Sequence, residues 1–357
     1  MADIIITNDD LKDPSIDDMI NLQRSAMPQG SDKVEDIKTP FYFNPIFYYC
    51  LATTLGALAV WGATEPYYTD SEDNSTQIPI ISSYLLFGPV AGMLSMAIGI
   101  VYGAVNRNWK QALYCGVVGL GVGLGATILT TFVATILFNI TCNVAESMVS
   151  IPPGGFKEGE FPLKGMAFFT YMCGRGIAWS IISMGAGLGL GVALKSKQLL
   201  LNGFVGGLIG GLLGGLFFDP IIRFITPGTT DAWLSRCVGI LAVGSFVGLF
   251  IGFFENLSKE AWFQMLKGPL AGKNFILFKN HMRIGSSPKS DIYLFKDPDV
   301  APQHASILRS GSRYIIQDDK SEKGVFVNGK PIEKYVLQPS DTVTIGETVL
   351  RYQEKRR

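Results

Sequence analysis

Between about Ile46 and Phe254 the chain is a succession of long apolar runs broken by short polar turns. After Gly268 it changes to short runs of alternating, β-branched and aromatic residues separated by turn-forming clusters. The two patterns predict two kinds of element. About 20 apolar residues are what a helix needs to cross a ~30 Å hydrocarbon layer, and six such runs lie near 46–63, 80–105, 112–138, 177–194, 199–218 and 238–254. Tyr48, Tyr49, Trp61, Trp109, Trp179 and Trp262 stand at or near their ends, as expected of side chains at the headgroup level. A soluble all-helical core is the alternative, but it would not need apolar runs of this length. The second pattern predicts strands at 275–278, 282–285, 292–294, 305–308, 314–317, 325–327, 335–337, 342–345 and 349–352. Many short strands at this spacing argue for an antiparallel sandwich.

The helical half carries an internal repeat. Ser95-Met96, Gly99, Gly103, a basic turn, Gln111, Gly116, Gly119 and Gly123 are echoed by Ser183-Met184, Gly187, Gly191, a basic turn, Gln198, Gly203, Gly206 and Gly210. Gly248 and Gly252 make a partial third copy in the last run. Two helical hairpins of one design and a related final helix are expected. In the fifth run Gly206-Gly207, Gly210-Gly211 and Gly214-Gly215 recur every four residues, which predicts a smooth strip where backbones approach closely. That strip could pack within the bundle or between protomers, or line a gated pore.

Composition sharpens the division. The chain has 41 glycines, well above the usual ~7%, while only 17% of residues are charged and the net charge is zero. A neutral chain gives no basic field for nucleic acid. Residues 1–42 read as a polar, acidic tail containing Asp9, Asp10, Asp13, Asp17 and Asp18, mostly disordered, with a short helix around 16–27 and no cleavable signal peptide. The remaining domains are expected at 43–262 and 266–357.

Lysine and arginine set the orientation. Arg107 and Lys110, Lys195 and Lys197, and Lys259 and Lys267 all fall on one side of the six runs. The opposite side holds the acidic loop 65–77, the loop 139–166 with Lys157 and Lys164, and the loop 219–231 with Arg223. The positive-inside rule then puts both termini in the cytoplasm, with Arg175 and Arg236 at outer boundaries. Glu65, Asp219, Glu255, Arg175 and Arg236 read as residues near span ends that reach the interface. Glu65-Pro66 and Asp219-Pro220 read as helix exits, since proline cannot continue a helix; a metal or proton site built from Glu65 and Asp219 is the sharper alternative. No ionisable group is visible at mid-membrane, where a transporter would be expected to carry one.

Cys50, Cys115, Cys142, Cys173 and Cys237 form no Cys-x-x-Cys pair. Cys142, Cys173 and Cys237 fall near the outer boundary, where a disulfide or small free thiols filling helix contacts are both open. No nucleophile and base pair, phosphate-binding Gly-x-x-x-x-Gly-Lys or metal cluster is present, so no enzyme, cofactor or metal is expected.

Within the last ninety or so residues, Arg283-Ile-Gly285, Asp291-Ile, His304-Ala, Asp318-Asp-Lys-Ser321, Lys323-Gly324-Val-Phe-Val-Asn328-Gly329 and Asp341-Thr-Val-Thr-Ile-Gly346 follow in order. That series resembles a forkhead-associated (FHA) domain, a β-sandwich that reads phosphothreonine on partner proteins. The resemblance implies a structural set, Gly285, His304, Gly324 and Gly329, and a partner or phosphopeptide face formed by Ser286, Lys289, Ala301, Gln303, Ser321, Glu322, Lys323 and Asn328. His304 resembles the family's buried structural histidine rather than a catalyst.

The sequence departs from the family where phosphate would be held. Ser286 stands where arginine is expected, Ala301 replaces a serine, and Glu322 and Lys323 precede Gly324 where a polar residue and asparagine are usual. Charge-assisted hydrogen bonds contribute roughly 1.5 to 3 kcal/mol each, so losing two should weaken phosphate binding by at least ~100-fold. Lys289, Lys320 and Lys323 could return charge, without arginine's bidentate geometry.

At whole-chain level the resemblance is to bacterial multi-pass membrane proteins with a cytoplasmic C-terminal FHA domain. The expected architecture is a glycine-rich transmembrane helical bundle followed by an all-β FHA-like sandwich. The expected role is a non-enzymatic anchor or scaffold in a bacterial cytoplasmic membrane, presenting a degenerate FHA face to a cytoplasmic protein, with a Ser/Thr-phosphorylated partner and a homo-oligomer left open. A small channel or transporter regulated by the FHA domain is the alternative.

Overall fold

A computed structural model describes residues 38–67, 80–149, 163–225 and 233–355. The acidic tail, its expected helix at 16–27, most of the loop 65–77 and much of the loop 139–166 lie outside them. The chain divides into two compact units, Phe41–Ser258 and a second that begins at Lys259.

The first unit is helical. After a single 3-10 turn at Phe41–Phe43 come α1 (Pro45–Thr64), α2 (Ile80–Val105), α3 (Trp109–Ser147), α4 (Gly165–Ala193), α5 (Lys197–Ile225) and α6 (Trp233–Ser258). All six are long and apolar enough to cross a membrane. Local chemistry starts α1, α3 and α5: Asn44 Oδ1 accepts from Ile46 N at 3.0 Å with Pro45 in the first helical position, Asn108 Oδ1 accepts from Gln111 N at 3.1 Å, and Ser196 Oγ accepts from Leu199 N at 3.3 Å. Each helix packs on the next, and α1 closes the ring by packing on both α2 and α6.

The repeat read from the sequence has a physical counterpart. Gly99 lies against the Cys115–Gly116 backbone and Gly103 against Ala112, while in the second hairpin Gly187 lies against Gly203 and Gly191 against Leu200. The turns match as well. Asn108 N donates to Gly103 O at 2.9 Å and Ser196 N donates to Gly191 O at 3.0 Å, with Arg107 (φ 54°) and Lys195 (φ 52°) in the left-handed conformation that closes such a helix end. Both hairpins therefore turn by the same device.

On α5 the glycines make two strips rather than one. A Cβ at Gly206, Gly210 or Gly214 would lie 2.6 Å from the Cα of Ile251, Val247 or Val243 on α6. Gly207, Gly211 and Gly215 instead meet Ser183, Trp179 and Gly176 on α4. Paired glycines let two neighbours approach one helix at backbone distance, so the strip is consumed inside the bundle.

Several expectations for single residues are corrected. Pro220 does not end a helix but lies inside α5, and Arg175 lies inside α4 rather than at its start. Asp219 is buried and paired with Arg175 rather than standing free at a helix exit. Trp179 is buried, edge-on to Phe87 at 5.0 Å, and Tyr49 is buried and donates to Glu255 at 2.9 Å, so both face the bundle interior rather than lipid. The five cysteines are free thiols. Arg223 and Arg236 have side chains outside the described set.

The second unit is a sandwich. One sheet has the order β2-β1-β11-β10-β7-β8 and the other β4-β3-β5-β6-β9, with β1 Ala261–Lys267, β2 Asn274–Ile276, β3 His281–Gly285, β4 Ile292–Tyr293, β5 Ala305–Ser310, β6 Arg313–Asp318, β7 Val325–Val327, β8 Lys330–Ile332, β9 Lys334–Val336, β10 Thr342–Ile345 and β11 Thr348–Glu354. Pairing is antiparallel except between β3 and β4. The strand β1 has no counterpart in the sequence expectation. Trp262, read as an interfacial residue closing the last span, is in β1 opposite Gln353. The helical part therefore ends earlier than 262 and the sandwich begins earlier than 266. Phe263, Met265, Ile284, Ile316, Val343, Leu350 and Tyr352 fill the space between the sheets.

Candidate functional site

The loops at one end of the sandwich bring together Gly285, Ser286, Ala301, Gln303, His304, Ser321, Lys323 and Gly324, whereas Asn328 and Gly329 lie at the opposite end of β7. Gly285 ends β3 where a Cβ would strike the backbone of Ala301 and Pro302, so a glycine is needed for the 299–303 segment to lie against the strand. With that space closed, Ser286 N donates to Ala301 O at 3.0 Å and Ser287 N to Pro302 O at 3.2 Å. The Ser286 hydroxyl donates to Val300 O at 2.7 Å. It is a half-buried strut between two loops rather than a free donor.

His304 holds the other side of that segment. Its ring is fully buried; Nδ1 accepts from Ala301 N at 3.0 Å and Nε2 lies 3.1 Å from Gly324 O. A nitrogen that accepts from a backbone N–H and one that faces a carbonyl are both satisfied by the neutral ring protonated at Nε2. His304 thereby ties the 299–303 segment to the 318–324 loop.

The 318–324 loop is organised internally. Asp318 Oδ1 accepts from Ser321 N at 3.0 Å and from Ser321 Oγ at 2.7 Å, and Ser321 Oγ in turn accepts from Gly324 N at 3.1 Å. Gly324 has φ 73°, a conformation glycine adopts without strain. Asp319 Oδ2 accepts from Gln303 Nε2 at 3.1 Å and from Ser306 Oγ at 2.7 Å. Two of the expected face residues, Ser321 and Gln303, therefore spend polar groups on loop carboxylates.

Asn328 and Gly329 form the β7–β8 hairpin turn, with φ 51° and 77°, as their sequence predicts. Asn328 also bridges away from the turn: Nδ2 donates to Asp341 Oδ1 at 2.8 Å and Oδ1 accepts from Thr342 N at 2.9 Å. Burial pushes the Asp341 carboxyl above its ordinary range, opposed by the hydrogen bonds from Asn328 and Gln338.

What the loops offer outward is mixed in sign. Lys289, Glu322 and Lys323 are exposed, and Lys323 Nζ lies 3.4 Å from Asp299 Oδ1 in an exposed pair. Ala301 presents a methyl group where a hydroxyl is usual in the family. An arginine fork is missing at 286, and a carboxylate at 322 stands beside the remaining cations. Sequence reasoning named these residues and quoted Asp318 and Asp319 in the motif series without a role; it did not name Asp299, and all three are acidic partners visible only once the loops are placed.

Comparison with known proteins agrees with this geometry. The family model described as the inner membrane component of T3SS, cytoplasmic domain, matches residues 264–356. The oxoglutarate dehydrogenase inhibitor of Corynebacterium jeikeium is 37% identical over 81 residues, covering 23% of this chain and 56% of that protein. The glycogen accumulation regulator GarA of Mycolicibacterium smegmatis is 34% identical over 90 residues, covering 25% of this chain and 56% of the relative. The chain thus spans about half the length of these curated relatives. Among solved structures, the FHA domain of CT664 from Chlamydia trachomatis is 27% identical, with 27% of this chain and 99% of that one aligned at a TM-score of 0.26. The C-terminal unit is an all-β sandwich similar in sequence to these regulators and to the FHA domain of CT664. It follows six helices that are each long and apolar enough to span a bilayer.

Proposed function

We propose that the protein is a membrane-embedded anchor whose FHA domain binds a cytoplasmic protein partner with phosphothreonine recognition weakened or lost. The observation that carries the proposal is the Ser286 hydroxyl donating to Val300 O at 2.7 Å in the position where the family places a phosphate-binding arginine. Ser321 is turned onto Asp318, Ala301 has no hydroxyl, and Glu322 adds a negative charge beside the face. Partner selection would then rest on shape and on Lys289, Gln303 and Lys323.

The basic turns at Arg107–Lys110 and Lys195–Lys197 support a cytoplasmic location for both termini, which would put the FHA domain where protein kinases work. The relatives named oxoglutarate dehydrogenase inhibitor and glycogen accumulation regulator support a regulatory, non-enzymatic role. The glycine seams of the bundle, closed at backbone distance, favour anchoring over conduction. Pull-down with the full-length protein in detergent tests the reading: a partner retained after phosphatase treatment supports it, and a partner lost on that treatment refutes it.

A further inference from the structure

The sandwich carries a second apolar cluster, outside the core between its sheets. Leu308, Ile315 and Val336 stand opposite one another on β5, β6 and β9, and the exposed His281 of β3 continues the row. Side chains alternate between the two faces of a strand. Because Ile307, Ile316 and Tyr335 face the core, this row lies on the outer face of the five-stranded sheet. Aliphatic side chains on a bare sheet face keep part of their surface in water. Ile315 and Val336 keep 1% and 3%, and Leu308 is the described apolar side chain packed on them. The charged strand residues that share this face are basic: Arg283 in register with Ser306, Arg313 with Ser310 and Lys334 with Gln317. One carboxylate, Asp319, reaches the end of the face through Ser306. Such a row calls for a cover that is apolar beneath and acidic at its sides.

The chain holds a segment of that kind before α1. Lys38–Pro40 belong to the same compact unit as the sandwich, and Asn274 Nδ2 of β2 donates to Thr39 Oγ1 at 3.3 Å, so residues 1–37 are tethered to this domain. They contain nine acidic residues and three basic ones. Within them Ser15-Ile-Asp-Asp18 is a capping-box pattern. Ile16, Met19, Ile20 and Met27 recur at helical spacing, with Asp17 and Asp18 beside them. The dimensions agree. Four strands ~4.8 Å apart make the row about 14 Å long, and a helix over 16–27 would be about 18 Å long at ~1.5 Å per residue. The linker 28–38 reaches roughly 18 Å as a flexible coil, which sets an effective concentration on the order of 1 mM.

We propose that residues 16–27 of the chain's own N-terminal tail dock on the Leu308–Ile315–Val336 row, with Ile16, Met19 and Ile20 on the row and Asp17 and Asp18 toward its basic rim. The docking needs no phosphate, and it uses a sheet face rather than the loops around Ser286. It is tested by calorimetric titration of a synthetic, unphosphorylated peptide of residues 1–37 into two proteins in detergent, the full-length chain and a deletion lacking residues 1–37. The deletion should bind the peptide with a Kd of about 100 µM or tighter, the affinity that fills the row to about 90% at ~1 mM effective concentration. The full-length protein should bind it roughly 10-fold more weakly, because its own tail competes. In the deletion, Leu308→Glu and Arg283→Glu should each weaken the peptide by roughly 5-fold or more. Thermal unfolding checks that each variant is folded; Arg283 is exposed, so its variant keeps the test open where Leu308→Glu does not fold. No binding by the deletion, equal binding with and without the tail, or binding unchanged in the folded variants would overturn the proposal. A full-length dimer in light scattering that Leu308→Glu dissociates would assign the row to a second copy of the chain and overturn it as well.

Discussion

Ser286 and His304 show how much one side chain decides. His304 was readable from its place in the motif series, and its two backbone partners give it a measurable weight. His304→Ala leaves the Ala301 N–H and the Gly324 C=O without their partner in a buried space, so the domain should lose about 2–4 kcal/mol in urea unfolding. Asp341 makes a pH prediction. Its carboxyl titrates higher in the folded than in the unfolded domain, because burial outweighs its hydrogen bonds. The folded state therefore binds more protons between the two values, and stability falls as pH rises through that window. Relative to Asp341→Asn, the wild-type domain should be most favoured at the acid end and lose that advantage as pH rises through the folded value. A constant difference across the carboxylate range would contradict this.

At the scale of elements, the hairpin repeat was legible because glycine spacing records where backbones touch. Gly187 and Gly203 meet each other's backbone, whereas Gly121 and Gly125 have open space where a Cβ would go. Gly187→Leu should therefore destabilise the bundle by about 1–3 kcal/mol or more through overpacking. Gly121→Ala and Gly125→Ala should be neutral or stabilising by up to about 1 kcal/mol, since alanine is the better helix former; thermal unfolding in detergent separates the two groups. The Arg175–Asp219 pair was not legible. Its members are far apart in sequence and each stands near the end of an apolar window, where solvation through the interface is the simpler reading. Pro220 misled in the same direction, because a proline within a packed helix is tolerated when its neighbours hold the chain. The first strand was missed because Ala261–Lys267 has one exposed end residue and little alternation: it is the second strand of the six-stranded sheet, flanked by β2 and β11, and buried along most of its length. Such a strand reads as a continuation of the apolar run before it.

For the whole molecule, the change from long apolar runs to short alternating ones already separated the helical unit from the sandwich. The fold class needed nothing further, whereas the site did. Asp318 takes up Ser321 within its own loop and Asp319 takes up Gln303 from the segment before the neighbouring strand β5, pairings that the order of motifs along the chain does not state. The topology carries its own test: reporter fusions after Arg107, Lys195 and Arg357 should all report the cytoplasm, and a fusion in the loop between α4 and α3 the opposite side. A cytoplasmic signal from that loop would refute the arrangement.

The most direct test of the account is calorimetric titration of the fragment 259–357, which includes β1, with phosphothreonine peptides and their unphosphorylated counterparts, for the wild type and Ser286→Arg. The account predicts no phosphate-dependent binding tighter than about 100 µM for the wild type, and a gain of roughly 10- to 100-fold for Ser286→Arg, the contribution of one charge-assisted hydrogen bond set. Phosphate-dependent binding at micromolar affinity by the wild type, unchanged by Ser286→Arg, would show that the exposed lysines replace the missing arginine and would contradict it.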